Sequence, residues 1–320
     1  MEDDNVVSRL APFLRVHPEL QQICRFGAQW ASPHGSEEAG WAPFHIVTSG
    51  SCALDAGGRR GIVLLTGDVA VLPHGGPHTV RAAPDRSGSP SIPSIRQRRE
   101  DGIVVKANVD GDPDTTLVCG RLRFEAASSN MVLAGLPAVV ILTASTGKDA
   151  DAARRMVELI RLELDGNRLG AFAIAGALAN AILVLVLRTH LEHGSGEEVG
   201  ILALLGNRQT ARVVAAMLRD PARQWTLDEL AEQAMTSRAT LVRLFRAACG
   251  RAPFAFLANL RLSLARNRLR ASSEPLATIA AEVGYESETA FSRAYARHFM
   301  VAPGADRKHQ ADAFKLAVTG

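Results

Sequence analysis

The chain has 320 residues, 47% hydrophobic and 22% charged, which fits one or two globular domains with cores of their own. Its net charge of +3 hides an asymmetry: from Gly206 onward 17 basic and 10 acidic residues give +7, leaving −4 for the first 205 residues. A basic C-terminal part suits a phosphate backbone, yet +7 is too modest for a protein that coats nucleic acid by charge alone.

The acidic start MEDDNVVSRL has no apolar run of the secretory kind, which points to a cytoplasmic protein. Four cysteines without regular spacing then read as reduced thiols rather than a disulfide framework. From Phe44 to about Ile141 the chain reads as short β-branched strands broken by Gly, Asp and Pro. The segments are FHIVTSGSCAL, GIVLLTGDVAVL, GIVVKANV, TTLVCGRLRFE and PAVVILTA. Their spacing predicts a sandwich or barrel. Residues 84–101, rich in Pro, Ser and Arg, read as a mobile loop.

After Gly147 the period becomes helical. Ala153, Met156, Val157, Ile160 and Leu164 form one stripe over Asp149 to Leu164, and a second helix runs to about Glu192. The stretch from Leu169 to Leu187 approaches membrane-spanning length, but it holds Asn180 and many small residues and has no second of its kind. It reads as a buried helix, with no membrane partner. The helix pair is expected either to dimerise the chain or to cap the barrel. A third helical region spans Gly200 to Arg219.

Two later segments repeat one another. LDELAEQAMTSRATLVRLFRAACG begins at Leu227, and LATIAAEVGYESETAFSRAYARHFM begins at Leu276. Ser237 and Ser287, Leu241 and Phe291, Arg243 and Arg293, and Phe245 and Tyr295 are each 50 residues apart. Each copy reads as helix–turn–helix, at about 227–248 and 276–299. Thr236 or Ser237 caps the second helix of the first copy, and Ser287 that of the second. Leu241, Leu244, Phe245 and Ala248 turn inward in the first, and Phe291, Tyr295 and Phe299 in the second. The outward face of the first then carries Arg238, Ala239, Thr240, Val242, Arg243 and Arg246. That of the second carries Glu288, Thr289, Ser292, Arg293, Ala296 and Arg297. Such faces, rich in arginine, suit contact with base edges and phosphates. PFAFLANLRLSLARNRLRAS between the copies predicts one helix entered at Pro253, a rigid connector toward major grooves about 34 Å apart.

With these features, residues 224–308 resemble the C-terminal domain of AraC/XylS-type transcription regulators. The matching features are WTLDELA, SRATLVRLFRAACG, RLSLARNRLR, IAAEVGYESETAFSRAYARHF, and the closing Pro303 and Arg307. Met300 stands where the family usually has Gly, and Asp306 where it usually has an aromatic, departures expected to loosen the packing at the domain's end. The resemblance implies that the outward residues touch a double-stranded operator, Arg243 and Arg293 above all. It also implies a regulator, an activator in kind, that works with RNA polymerase as a homodimer.

The strands around His45 and LLTGDVAVLPHGGPHTV resemble a cupin-type N-terminal domain. In that setting His34, His45, His74 and His78 are the candidate ligands for Zn, Cu or Fe, with no carboxylate clearly beside them. ICRFGAQW, SPHG at 32–35, FH at 44–45 and TTLVCGRLRFE at 115–125 are similar to the regulators that respond to reactive chlorine species. That resemblance implies that Cys24 and Cys119 are oxidation sensors, with Arg25, Arg121 and Arg123 expected to favour a thiolate. Cys52 is a reserve candidate, and Cys249 is expected to pack. A small-molecule or metal signal stays open, as does the rival reading of a cupin metalloenzyme with a helical appendage. The whole is expected to be an α+β chain: a cupin-like sensor over 1–146, a helical dimerisation and linker region over 147–205, and a DNA-binding domain over 206–320.

Overall fold

The computed structural model describes residues 16–83, 94–98, 103–109, 111–124, 130–144, 149–166, 169–193 and 199–308. They fall into two compact units, one within residues 15–127 and 136–197, the other within 128–135 and 198–320. The helix pair after residue 147 folds with the strands, and the helices from Ile201 onward belong to the second unit.

The first unit holds two β-sheets. A seven-stranded sheet has the order β11-β6-β3-β10-β1-β9-β8, and a four-stranded sheet the order β2-β7-β4-β5. In chain order the strands are β1 (Val16–Phe26), β2 (Ala31–His34), β3 (Trp41–Ser49), β4 (Ser51–Ala56), β5 (Arg59–Leu65) and β6 (Val69–Val71). Then come β7 (His78–Ala82), β8 (Ser94–Arg98), β9 (Val104–Ala107), β10 (Thr115–Phe124) and β11 (Val140–Leu142). Phe26, Trp30, Val47, Leu54, Leu64, Leu72, Val80 and Leu117 are buried together, each stabilising the unit by about 1.5–3 kcal/mol.

Three strand registers bring the cysteines and histidines near one another. β10 lies antiparallel to β1, with Gln22 opposite Cys119 and Cys24 opposite Leu117. On its other side β10 pairs with β3, placing Cys119 opposite His45. In the other sheet, β2 and β7 pair His34 with His78.

Helix α1 (Ala150–Gly166) buries Ala153, Val157, Ile160 and Leu164, the expected stripe, with Met156 half-buried. Helix α2 (Ala171–His193) is the apolar stretch. Ala179, Ile182 and Leu183 face Phe44, Ile46, Val69, Val71 and Leu122 of the seven-stranded sheet, while Asn180 and Val184 are exposed. It is a helix with one face in the core of this unit. Its small residues let it approach the sheet closely.

Strand β6 stops at Val71, so His74 lies in the following turn, and His78 opens β7. One expectation needs correction. Within 84–101, Ser94–Arg98 is a strand paired with β9, so this part is no loop; residues 84–93 and 99–101 lie outside the described residues. Pairing to β9 gives its backbone donors and acceptors partners that composition does not reveal.

The second unit is helical. It contains α3 (Ile201–Gly206), α4 (Arg208–Arg219), α5 (Leu227–Gln233), α6 (Arg238–Cys249), α7 (Pro253–Ala271), α8 (Leu276–Glu282) and α9 (Glu288–Phe299). The connector α7 starts at Pro253, where the missing N–H costs nothing. Thr226 and Glu229 form a reciprocal capping box on α5. Leu262, Leu269, Ile279, Phe291 and Tyr295 build a core shared by α7, α8 and α9.

The duplication extends to backbone strain. In the second copy the turn needs a left-handed residue, and Gly284 (φ +85°) supplies it; a Cβ there would lie 2.8 Å from the Ala222 backbone. At the end of α6 Gly250 is left-handed, and 50 residues on Met300 takes the same conformation with φ 57°. Met300 is 87% exposed, so it carries strain without packing in return. Met300→Gly is expected to raise the stability of the second unit by about 1 kcal/mol, read as a higher denaturation midpoint; an unchanged or lower midpoint contradicts this.

Candidate nucleic-acid interface and sensor site

The two repeat helices present their outward faces as the residue pattern requires. Ser237 caps α6 by accepting from Thr240 N at 3.2 Å, and Ser287 caps α9 by accepting from Ala290 N at 3.1 Å. Leu241 and Phe245 in α6, and Phe291 and Tyr295 in α9, are fully buried; Leu244, Ala248 and Phe299 are half-buried. These anchors fix the rotation of each helix, and rotation decides which residues face away.

On α6, Arg238, Ala239, Arg243 and Arg246 are exposed, and Thr240 and Val242 half-buried. On α9, Glu288, Thr289, Arg293 and Arg297 are exposed, and Ser292 and Ala296 half-buried. Glu288, Thr289, Ser292, Arg293 and Ala296 line one shallow open groove. Arg238 is ion-paired with Asp228 at the start of α5. No carboxylate of the described residues is ion-paired with Arg243, Arg246, Arg293 or Arg297. Guanidinium groups held out in this way are chemically suited to phosphate oxygens and guanine edges.

The first unit contains a second constellation, where its strands converge. Cys24 Sγ lies 3.9 Å from Cys119 Sγ. Cys119 Sγ lies 3.1 Å from His45 Nδ1, and His45 Nε2 lies 2.9 Å from His78 Nε2. His34 stacks on His78 with ring centroids 4.7 Å apart. One ligand atom from each of His34, His45 and His78 falls within 4.8 Å of the others. Opposed sheets supply these groups: β1, β3 and β10 on one side, β2 and β7 on the other.

The proton positions follow from the partners. His78 Nδ1 is 3.0 Å from the carbonyl of Gly76, which can only accept, so that nitrogen carries the proton and Nε2 is an acceptor. His45 Nε2–H therefore donates to His78, leaving His45 Nδ1 to accept from the Cys119 S–H. Lys106 Nζ donates to Ser32 Oγ at 3.0 Å, and that hydroxyl sits 3.4 Å from His34 Nε2.

Burial sets the charge state. It lowers the His34 pKa to about 4, helped by His78 and Lys106. Burial likewise holds His45 well below, and His78 below, the ordinary imidazole value. The hydrogen bond with Cys24, then burial, hold the Cys119 thiol well above its usual range. Cys52, in the same core, is raised to about 12 by burial and by Asp68. Cys249 packs at the end of α6, with Sγ donating to the Phe245 carbonyl at 3.1 Å.

Neutral buried histidines make a pH prediction. Below pH 6.5 the unfolded chain takes up protons that the folded unit refuses until far lower pH. Stability is then full above pH 6.5 and lost as pH falls toward about 4. The expected slope approaches ~1.4 kcal/mol per pH unit for each such histidine. Thermal melts should show a midpoint that is level from pH 8 to 7 and drops below 6.5, less steeply in His34→Gln. A level profile down to pH 5 contradicts the neutral cluster.

Two sequence expectations change here. His74 does not join the other histidines: its Nε2 bonds the Leu136 carbonyl at 2.8 Å, which gives it a structural part. The arginines do not attend the thiols either. Arg25 pairs with Asp165, and Arg121 pairs with Glu19 and Glu37 while stacking 3.8 Å over Trp41. Arg123 lies beside the same ring. The cation that acts on Cys119 is Lys106, whose residue stands opposite Cys24 in the parallel β1–β9 pair. Strand alternation explains only part of this: Arg25 adjoins Cys24 and points to the other face. Arg121 and Arg123 follow Cys119 by two and four residues on its own face and are held by Glu19, Glu37 and the Trp41 ring instead, while Lys106 reaches the thiols from the next strand.

A cupin family profile matches residues 5–192, and a helix-turn-helix domain profile matches residues 230–309. A putative AraC-like transcription regulator from Streptomyces antibioticus is 34% identical over 298 residues, covering 92% of this chain and 96% of that one. The RCS-specific HTH-type transcriptional activator RclR of Escherichia coli is 27% identical over 305 residues, 95% of this chain and 97% of that protein. Among solved structures, the DNA-binding domain of AdpA in complex with a target DNA is 30% identical over 32% of this chain and 92% of that one, with a TM-score of 0.31.

Proposed function

The chain belongs to the AraC-like transcription regulators, with a cupin domain ahead of its helix-turn-helix units, and from that premise we propose that it is an activator switched by oxidation of Cys24 and Cys119. It is a DNA-binding regulator and not an enzyme. In this reading α6 and α9 enter successive major grooves of an operator, with Arg243 and Arg293 on base edges or phosphates. RNA polymerase is the partner, and the cytoplasm the site of action. Leu159 and Leu162 on α1 and Ile174 and Val184 on α2 are exposed apolar side chains, which supports a homodimer built on this helix pair.

The observation that carries the switch is the 3.9 Å separation of the two sulfurs. With hypochlorous acid as oxidant, one sulfur takes the chlorine and releases hydroxide. The second sulfur then displaces chloride, and the two thiol protons leave, one of them forming water. The net change is two thiols and HOCl to a disulfide, water, a proton and chloride. The S–S bond is about 2.05 Å, so the sulfurs must close by nearly half their separation. They sit diagonally across β1 and β10, and the irregularity between Leu20 and Gln22 gives β1 the slack to move. That strand shift is the structural change passed on.

Because the Cys119 thiol is held protonated, weak oxidants that need a thiolate should react slowly. Hypochlorous acid at one equivalent is expected to form the 24–119 disulfide, and hydrogen peroxide at the same dose to leave most thiols free, as read by mass spectrometry. Equal oxidation by both contradicts the protonated Cys119 thiol. DNA reading is tested by selection from a random duplex pool: the parent should enrich one motif and Arg243→Ala/Arg293→Ala none.

A second reading is favoured by the convergence of His34, His45 and His78. Three neutral imidazoles offer lone pairs that suit Zn, Cu or Fe, and a three-nitrogen set leaves a position open. Bound there, such an ion would supply a charge in the barrel that reports its own availability. A small-molecule ligand in the barrel is the remaining alternative signal.

A further inference from the structure

The thiol pair and the imidazole set are not two sites side by side. His45 belongs to both, with Nδ1 at 3.1 Å from Cys119 Sγ and Nε2 at 2.9 Å from His78 Nε2. We infer that metal binding at His34, His45 and His78 and disulfide formation between Cys24 and Cys119 oppose one another through His45. This rests on the metal reading above.

Without metal, the Gly76 carbonyl fixes His78 as an acceptor, so His45 keeps its proton on Nε2 and accepts from the Cys119 S–H at Nδ1. Lending Nε2 to a metal moves that proton to Nδ1, because a neutral imidazole carries one. The His45–Cys119 hydrogen bond then reverses: Nδ1–H donates to the Cys119 sulfur, and the Cys119 S–H turns toward Cys24 Sγ, 3.9 Å away. The proton count is unchanged. The reduced Cys119 sulfur has become the outer partner that orients a metal-binding histidine.

Disulfide formation spoils that partner. When Cys24 closes on Cys119, the Cys119 sulfur becomes a bridging sulfur tied to Cys24, a poorer acceptor held in the geometry of the S–S bond, and a buried Nδ1–H deprived of its acceptor is costly. In the metal-free protein the same step loses only a weak S–H donor, and His45 keeps its bond to His78. Oxidation therefore costs more when the imidazoles are loaded. Loss of such an outer partner typically weakens metal binding about 10–100-fold. By linkage, metal must favour the dithiol by the same factor, a rise of about 30–60 mV in the potential of the pair.

The full-length protein tests this with zinc ion as the probe. Zinc is titrated against a chromophoric chelator for the reduced protein and for protein whose 24–119 disulfide has been verified by mass spectrometry. The reduced form should bind one zinc, and the oxidised form about 10–100-fold more weakly. Cys24→Ala keeps Cys119 beside His45 and cannot form the bridge, so it should bind like the reduced parent before and after oxidant. His34→Ala should lose the zinc, and the potential of its thiol pair should no longer respond to zinc. Equal zinc affinity in the two redox states overturns the coupling and leaves the metal site standing. Absence of zinc binding in the reduced parent, or its full retention by His34→Ala, overturns the metal reading and the coupling with it.

Discussion

Replacing Asp306 with alanine is expected to cost the helical unit about 3–5 kcal/mol, enough to abolish operator binding. Asp306 is 4% exposed, and its carboxylate is the meeting point of three side chains. Arg266 Nε donates to it at 2.7 Å, Arg270 Nη2 at 2.9 Å and Tyr295 OH at 2.6 Å. Burial pushes the carboxyl up, but the bonds from Tyr295, Arg266 and Arg270 outweigh it and hold the group below the usual carboxylate range. Arg266 is itself 8% exposed and stacks 4.4 Å over Phe299. Alanine would leave two guanidinium groups without their carboxylate in a poorly solvated place, together with the hydroxyl that anchors α9. The residue that departs from the family pattern therefore tightens the end of the domain instead of loosening it. Hydrogen exchange of α7 and α9 checks this: protection should collapse there and persist in the strands. A loss under about 1 kcal/mol contradicts the network.

The second large effect concerns reading of DNA. Arg243→Ala and Arg293→Ala are each expected to weaken operator binding by about 1–3 kcal/mol, with the double variant near non-specific affinity. Both side chains are exposed and stand at equivalent points of the duplication, so neither substitution should move the folding midpoint by more than about 0.5 kcal/mol. If one arginine touches only phosphate, its alanine variant should weaken all sequences alike and reduce the salt dependence. Operator affinity matching the parent in both variants removes α6 and α9 from the interface.

The helical half is largely legible in the sequence because each copy repeats its anchors at 3.6-residue spacing and its caps at fixed offsets. Leu241 and Phe245 are buried, Ser237 and Ser287 cap, and Pro253 opens the connector. The strands are legible where β-branched residues cluster, as in β5 and β10. β1 is not: VHPELQQICRF mixes a proline and polar residues with apolar ones, because its partners on both sides supply what its composition lacks. The candidate thiol and imidazole site is half legible. Cysteine and histidine identities stand in the sequence, but convergence depends on registers that pair Cys119 with His45 and His34 with His78, and register is a tertiary property. For that reason composition groups His74 with the other histidines and gives no sign of Lys106.

Control of DNA binding by the Cys24–Cys119 pair is tested most directly by one measurement. It is the operator affinity of the full chain before and after one equivalent of hypochlorous acid, for the parent, Cys24→Ser and Cys119→Ser. The parent should change affinity about 5–150-fold as the 24–119 disulfide appears, and both serine variants should be indifferent to oxidant. Serine variants that respond as the parent does would contradict the thiol switch.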